Sequence, residues 1–472
     1  MFKKLGIYVV VGAMVALASI TKAATWERIY ESSTPRGVCQ TSDGGFAVTG
    51  FRAFILKVDS LGEIVFLNDY GQSGKEHGHA IKETFDKGLI VAGQDDRPDP
   101  GPVSAWILKT DSLGNREWEK TFYPSNGNQL TRLSDVCQTP DSGYLVIGTT
   151  ERYIEPNSAD DDIYLAKFDK DGNLQQEKVY DGGQSDWGSR IKYVGQEYGY
   201  STYIVLSITR SFGPSNASRA WLIKMACQPD NSLTTLWSKV VCEGKPIDIG
   251  LTNDNGYIIT GVKDNQELFL AKIDNPNNLK WQKTYDAGPD YEEMGVAVWQ
   301  TDNGYMAIGT KDWNPWNSPG PAAVWLLKFD EYGDTLLTKT FSGLGIAYTH
   351  DAEPTLDRGC IIAAVTQKSA NSNSYNTYLI KTDAQGNVGI EENKPVNNRL
   401  ELIRVFPNPS RGTVWFETEN EKEVEVTVFD ILGRKIAVDK TKNGELTLRL
   451  QPGIYFWRTD KNQGGKIIVV RE

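Results

Sequence analysis

The sequence predicts an all-β chain: a seven-bladed β-propeller closed by its N-terminal strand, followed by a small C-terminal β-sandwich. Three observations carry this. Two short phrases recur in step along the middle of the chain: Asp-x-Gly before an apolar run, and an apolar run closed by Lys-x-Asp. Each repeat holds four short stretches rich in aromatic and β-branched residues and bounded by Gly, Asn or Asp, which is the signature of four strands. The last repeat lacks its fourth strand, and a matching strand stands alone near the N-terminus.

The first phrase begins at Asp43, Asp86, Asp141, Asp254, Asp302 and Asp357, with a worn copy at Glu197-Tyr198-Gly199-Tyr200. The second ends on Lys57, Lys109, Lys167, Lys224, Lys272, Lys328 and Lys381. Lys57 to Lys381 spans 324 residues over six steps, a mean period of 54. A third phrase, Trp-x-Lys-x-aromatic, supplies the fourth strand, as in Trp118-Glu119-Lys120-Thr121-Phe122 and Trp281-Gln282-Lys283-Thr284-Tyr285. The seventh repeat stops at Lys381-Thr382-Asp383-Ala384-Gln385-Gly386, and Trp26-Glu27-Arg28-Ile29-Tyr30 supplies the missing strand. A radial array of four-stranded sheets makes a propeller, and a ring must hide its last open edge. An open stack of sheets has no reason to split one repeat between the two ends of the domain. Recurring features serve architecture: Lys57 and Asp59, two apart on one strand face, form a structural pair that returns in six blades, blade four having Ala226 at the Asp position.

The chain has 472 residues, room for two or three domains. With 50 Lys and Arg against 61 Asp and Glu it carries a net charge of −11, which argues against a nucleic-acid partner. Residues 1–23 read as a signal peptide: Lys3 and Lys4, an apolar run over 5–20, then Thr21-Lys22-Ala23. No later stretch is long enough to cross a bilayer, so no transmembrane segment is expected in the mature chain. Five cysteines follow, Cys39, Cys137, Cys227, Cys242 and Cys360. The closest pair in sequence, Cys227 and Cys242, brackets about eight residues of strand, roughly 25 Å, against the ~7 Å a disulfide allows. Free thiols are predicted.

The propeller is assigned to 24–387, a polar linker to 388–402 and a C-terminal module to 403–472. The module contains Pro407-Asn408-Pro409 and Gly412, then the alternation Val424, Val426, Val428 of a half-buried strand. Asp430 and Gly433 mark a turn, Gly453 and Tyr455 a Gly-x-Tyr strand, and Lys466 a final hairpin. In this order the motifs resemble the type A C-terminal sorting domain of the type IX secretion system. The repeats resemble those of secreted β-propeller proteins of bacteria that use that system. The resemblance implies passage through the periplasm, recognition by the type IX secretion machinery, and a product released or attached at the outer-membrane surface.

Function is expected where the copies differ. The turns on one side of the ring are short and uniform; the opposite side carries the long segments 94–104, 149–162, 209–219, 311–322 and 367–376, and the blade connectors. Variable loops on a rigid scaffold commonly bind. Trp313 and Trp316, in a Pro-rich loop, and Trp187, in a connector, can stack on a sugar. His77, His79 and His350 are assigned to connectors of the same side. His77-x-His79 with Asp351 suggests a metal site, but these groups belong to different connectors and no fourth ligand has diagnostic spacing, so neither a metal nor another cofactor is predicted. Asp160-Asp161-Asp162 reads as a solvated charge run, and Asp169-Lys170-Asp171-Gly172-Asn173 as a hairpin turn. No nucleophile elbow, phosphate loop or dinucleotide fingerprint occurs. Three functions stay open: binding of an extracellular protein or glycan through the long-loop face, a hydrolase or lyase acting on a polysaccharide or peptide at the channel mouth, and a purely structural surface-layer component with no defined pocket.

Overall fold

The computed structural model describes residues 25–389 and 403–470, apart from 72–74, 97–102, 125–129, 156–157, 213–216, 264–265, 276, 287–291, 314–321, 344, 368–374, 407–409, 419–423, 431–433, 444 and 460–463. The predicted signal peptide, most of the predicted linker, Trp316, Pro407, Asn408, Pro409 and Gly433 lie outside the described residues. The chain divides into two compact units, Met1–Gly389 and Ile390–Glu472.

The first unit holds seven four-stranded antiparallel sheets, six of them built from consecutive strands. In the seventh, Trp26–Tyr30 takes the outer place, running from Trp26 opposite Lys381 to Tyr30 opposite Thr377. Seven apolar layers fill the gaps between neighbouring blades. The layer joining blade seven to blade one packs Trp26, Tyr30, Phe46 and Leu56 against Ile361, Ala363 and Leu379. The others run in order round the ring. A continuous circuit of buried faces is what makes the ring closed.

The repeated phrases now have physical roles. In five blades the lysine of the second phrase reaches the aspartate of the first phrase in its own blade, whereas in blade six Lys328 donates to the Ala384 carbonyl and Asp302 pairs with Arg358. Lys167 to Asp141 is 2.8 Å, Lys272 to Asp254 2.9 Å and Lys381 to Asp357 2.6 Å. The worn blade substitutes Glu197 as partner of Lys224. This corrects the expected Lys57–Asp59 pairing: Lys57 binds Asp43 at 2.9 Å, while Asp59 caps its hairpin by accepting the N–H groups of Leu61 and Glu63. Asp169 does the same for Asp171 and Asn173, which makes that segment the predicted turn. The glycine of the first phrase leaves room for the pair, since a Cβ on Gly143 would lie 2.5 Å from the Lys167 ammonium and 2.3 Å from the Phe168 carbonyl.

These pairs make two testable contributions. Lys167 is fully buried, so Asp141→Ala would leave an ammonium held only by neutral acceptors, the Phe168 carbonyl and Gln175. Asp141 is about half exposed, which tempers the loss. A cost of about 2–3 kcal/mol is expected in denaturant unfolding. Burial raises the Asp43 and Asp254 carboxyls, but threonine hydroxyl, lysine ammonium and glycine N–H donors outweigh it and hold both at about 2. Depressed carboxyls stabilise the fold above their unfolded pKa of ~3.9, so stability should fall as pH drops from about 4 toward 2.

The third phrase straps each blade to the next. The Tyr30 hydroxyl donates to the Gly62 carbonyl at 2.7 Å, and Tyr285 to Gly333 at 2.6 Å. The Trp26 indole donates to Ser60 at 3.0 Å and that of Trp118 to Lys170 at 3.2 Å. All five cysteines are free; Cys227 pairs in register with Leu233 and Cys242 with Ala220, several residues apart along one hairpin.

The second unit is a sandwich of a three-stranded and a four-stranded sheet. Its core packs Val414 and Phe416 of one sheet against Val426, Val428, Trp457 and Ile467 of the other. Asp430 caps its turn by accepting the Arg434 N–H at 2.9 Å. Gly412 takes a φ of +105°, and Gly453–Thr459 pairs with the strand that carries Lys466 opposite Phe456. The Tyr455 hydroxyl donates to the Gln451 carbonyl at 2.9 Å.

Candidate functional site

The channel is walled by the inner strand of every blade: Pro35–Gln40, Glu76–Glu83, Leu130–Gln138, Asp186–Glu197, Lys245–Leu251, Glu292–Thr301 and Ala347–Pro354. Each carries a β-bulge near its middle, so one residue has no partner across the pair. The residue after the bulge is Gly37, Ala80, Asp135, Arg190, Asp248, Ala297 and Asp351 in blades one to seven. Four of the seven are therefore charged, at one level of the channel.

The three aspartates lock the ring. One oxygen of Asp135 accepts the Ile191 N–H at 3.0 Å, Asp248 that of Val298 at 2.9 Å, and Asp351 that of Val38 at 3.0 Å. Each bond crosses to the next blade. Arg190 spans the axis, 3.0 Å from Asp351 and 3.5 Å from Asp248. Burial disfavours its charge, but Asp351, Asp135 and Asp248 outweigh burial and hold its pKa above normal. Burial raises the Asp351 carboxyl in spite of Arg190 and Lys82. This ion cluster plugs the channel.

On the short-turn side of the plug lies a cavity of about 490 Å³. Its floor is the Arg190 cluster; Lys82, Glu353, Lys192, Tyr193 and Trp299 stand around it. Lys82 pairs with Glu353, and Lys192 approaches Asp248 at 3.3 Å. Trp299 is half-buried against the blade six–seven core, and Tyr193 is 38% exposed. Sequence comparison of loops missed this site because its residues lie on strands. A signal was present: Asp135, Asp248 and Asp351 each stand six residues before the Asp of the first phrase.

The predicted loop residues are placed differently from expectation. His77 and His79 lie in the inner strand of blade two, His350 in that of blade seven, and Trp187 in that of blade four; none is in a connector. The bulges let pairing run on through residues that read as loop. The long segment 149–162 is likewise a continuation of two paired strands, Tyr144–Glu155 and Ser158–Phe168. Trp187 is fixed, its indole N–H donating to Asp161 at 2.8 Å and the Arg210 guanidinium lying 5.1 Å from its ring. Trp313 ends the strand Gly304–Trp313.

His77, His79, His350 and Asp351 do not gather into one cluster of ligand atoms among the described residues; Asp160, Asp162 and Asp181 bring carboxylate oxygens within 4.8 Å of one another. Asp160 and Asp162 are buried, which corrects the reading of a solvated charge run. Pairing of Asp160 with Arg152 and Asp162 with Thr150 across the extended hairpin carries them inward.

Residues 404–470 match the family model of the secretion system C-terminal sorting domain. A search of curated protein sequences returned no significant match. Among solved structures, the WD40 beta propeller domain of Doa1 is similar at 10% identity, covering 76% of this chain and 95% of that one, with a TM-score of 0.44. BamB from Moraxella catarrhalis is similar at 11% identity, covering 74% and 83%, with a TM-score of 0.37. A protein of unknown function from Bacteroides caccae is similar at 12% identity, covering 62% and 93%, with a TM-score of 0.38. Scores this low carry no further argument, and the fold rests on the sheet order. Among the described residues no helix is long and apolar enough to cross a membrane. The chain is a β-propeller protein with a type IX C-terminal sorting domain, secreted or held at the cell surface.

Proposed function

We propose that the protein is a binding module of the cell exterior that seats a glycan at the short-turn mouth of its channel. The supporting observation is the cavity of about 490 Å³ with Trp299 and Tyr193 at its sides and charged groups below them. That volume lies within the ~300–1,000 Å³ of typical ligand sites. Aromatic faces suit the apolar face of a sugar ring, and the fixed charges below suit its hydroxyls. The acids there are engaged: Asp248 and Asp351 hold backbone N–H groups and Arg190, and Glu353 holds Lys82. Asp135 likewise holds backbone N–H groups and Glu83 holds Ser42, and acids tied up in structural bonds suit a binding surface better than proton transfer.

An array of glycans and extracellular proteins probed with the mature protein tests the reading. Trp299→Ala should weaken retention by about 30-fold, the effect of removing an aromatic anchor worth ~2 kcal/mol. Because Trp299 also touches the core, Tyr193→Ala serves as a second variant, with weaker retention at an unchanged melting temperature. Retention only on protein spots, or retention indifferent to both variants, would reject this site.

A further inference from the structure

Above the plug the bulge residues themselves form a second ring: Arg36, His79, Ser134, Ser189, Ile247, Val296 and His350. Three consecutive blades, seven, one and two, thus place His350, Arg36 and His79 side by side. The other four positions carry no charge.

Arg36 stands out in a chain of net charge −11. Among the described residues it makes no ion pair, and its Nε is sealed from solvent with no hydrogen-bond partner. Its guanidinium lies 4.4 Å from the centre of the Phe51 ring, and that ring meets His77 edge-on at 4.7 Å. His77 is fixed in turn by the Arg52 N–H at 3.3 Å and by Asp96 at 3.3 Å. Arg36 is therefore held in place by stacking rather than by a counter-charge. His350 shows the same incompleteness: its Nε2 is sealed from solvent and bonded to nothing. His79 sets Nδ1 2.8 Å from the Leu133 carbonyl, which fixes the ring and makes that nitrogen the donor.

The three groups sense one another. Burial first, then the Arg36 charge, lowers His79 to about 3 and His350 to about 4. Both rings are therefore neutral at physiological pH. A partly buried guanidinium with a buried, unbonded Nε–H is costly, and the group that suits it is an acceptor that carries negative charge. A cation is the wrong occupant, because Arg36 would repel it.

We propose that Arg36 and His350, with His79 as the adjoining wall, bind an oxyanion, the carboxylate or sulfate of an extracellular polymer, at the end of the channel opposite the aromatic cavity. Arg36 supplies charge and planar donors, and His350 supplies an Nε2–H. This inference does not rest on the glycan reading, since the Arg190 plug separates the two places.

The test uses the whole mature chain with ¹⁵N-labelled histidine, titrated with sodium sulfate or sodium acetate at constant ionic strength in chloride. The His350 ring signals should shift saturably with at least one of the two anions. Saturation by sulfate alone assigns a sulfate ester, and by acetate alone a carboxylate. Arg36→Gln should weaken the response at least tenfold, while Arg358→Gln, on an exposed turn, should leave it unchanged. Should Arg36→Gln fold poorly, His350→Phe read by calorimetry replaces it, with the same tenfold loss expected. The absence of saturable shifts with either anion overturns the proposal, as does an unaltered response in the Arg36 or His350 variant.

Discussion

Arg190→Met is expected to lower the folding stability of the propeller by about 3–5 kcal/mol, the usual cost of removing one partner from a buried ion cluster. Its side chain is 17% exposed and its partners Asp351 and Asp248 are 14% and 7% exposed, so little solvent screening softens the loss. Three carboxylates would then face one another round a narrow axis, while each still holds the N–H of the next blade. Burial already raises the Asp351 carboxyl, and without the opposing Arg190 charge it should rise further above the unfolded value of ~3.9. A raised carboxyl makes the folded state bind more protons, so stability falls with increasing pH. The gap between variant and wild type should therefore be wide at pH 8 and shrink below about pH 5. Adding Asp351→Asn to Arg190→Met should recover part of the loss. Urea unfolding across pH measures all three. A loss under 1 kcal/mol with no pH trend would mean that the plug does not brace the ring.

Trp26→Ala is expected to cost a similar ~3–5 kcal/mol through the cavity it leaves. Trp26 is 1% exposed, packs edge-on to Phe46 at 5.8 Å and donates its indole N–H to Ser60 at 3.0 Å. It thus touches blades seven and one together. Amide hydrogen exchange should show the effect as lost protection along Trp26–Tyr30 and its partner Tyr375–Thr382, with blades three to five unchanged. If protection drops evenly round the ring, the seal is no weaker than any other blade interface.

The ring and its closure were legible because they rest on period and on strand inventory. Lys57 has a copy in every blade and Asp43 in all but the fourth, and the odd strand Trp26–Tyr30 has one place to go. The partner of Lys57 was misread because spacing along one strand cannot show which residue a neighbouring turn brings to the ammonium. The histidines and Trp187 were misplaced because a bulge breaks the alternation that marks a strand. Arg190 escaped notice because it is a single departure at a position where other blades hold Asp, Gly or Ala. Its importance comes from a sevenfold superposition that linear spacing does not display.

The bond between Ser32 and Thr377 joins residues 345 apart in sequence. Bringing such distant segments together costs about 5 kcal/mol of chain entropy before any contact compensates. Assembly of the toroid is therefore a late event that cannot finish until the seventh sheet exists. Until then the first strand waits without a mate, and a chain interrupted before Tyr375 has nothing to latch onto. The architecture distinguishes complete polypeptides from prematurely ended ones.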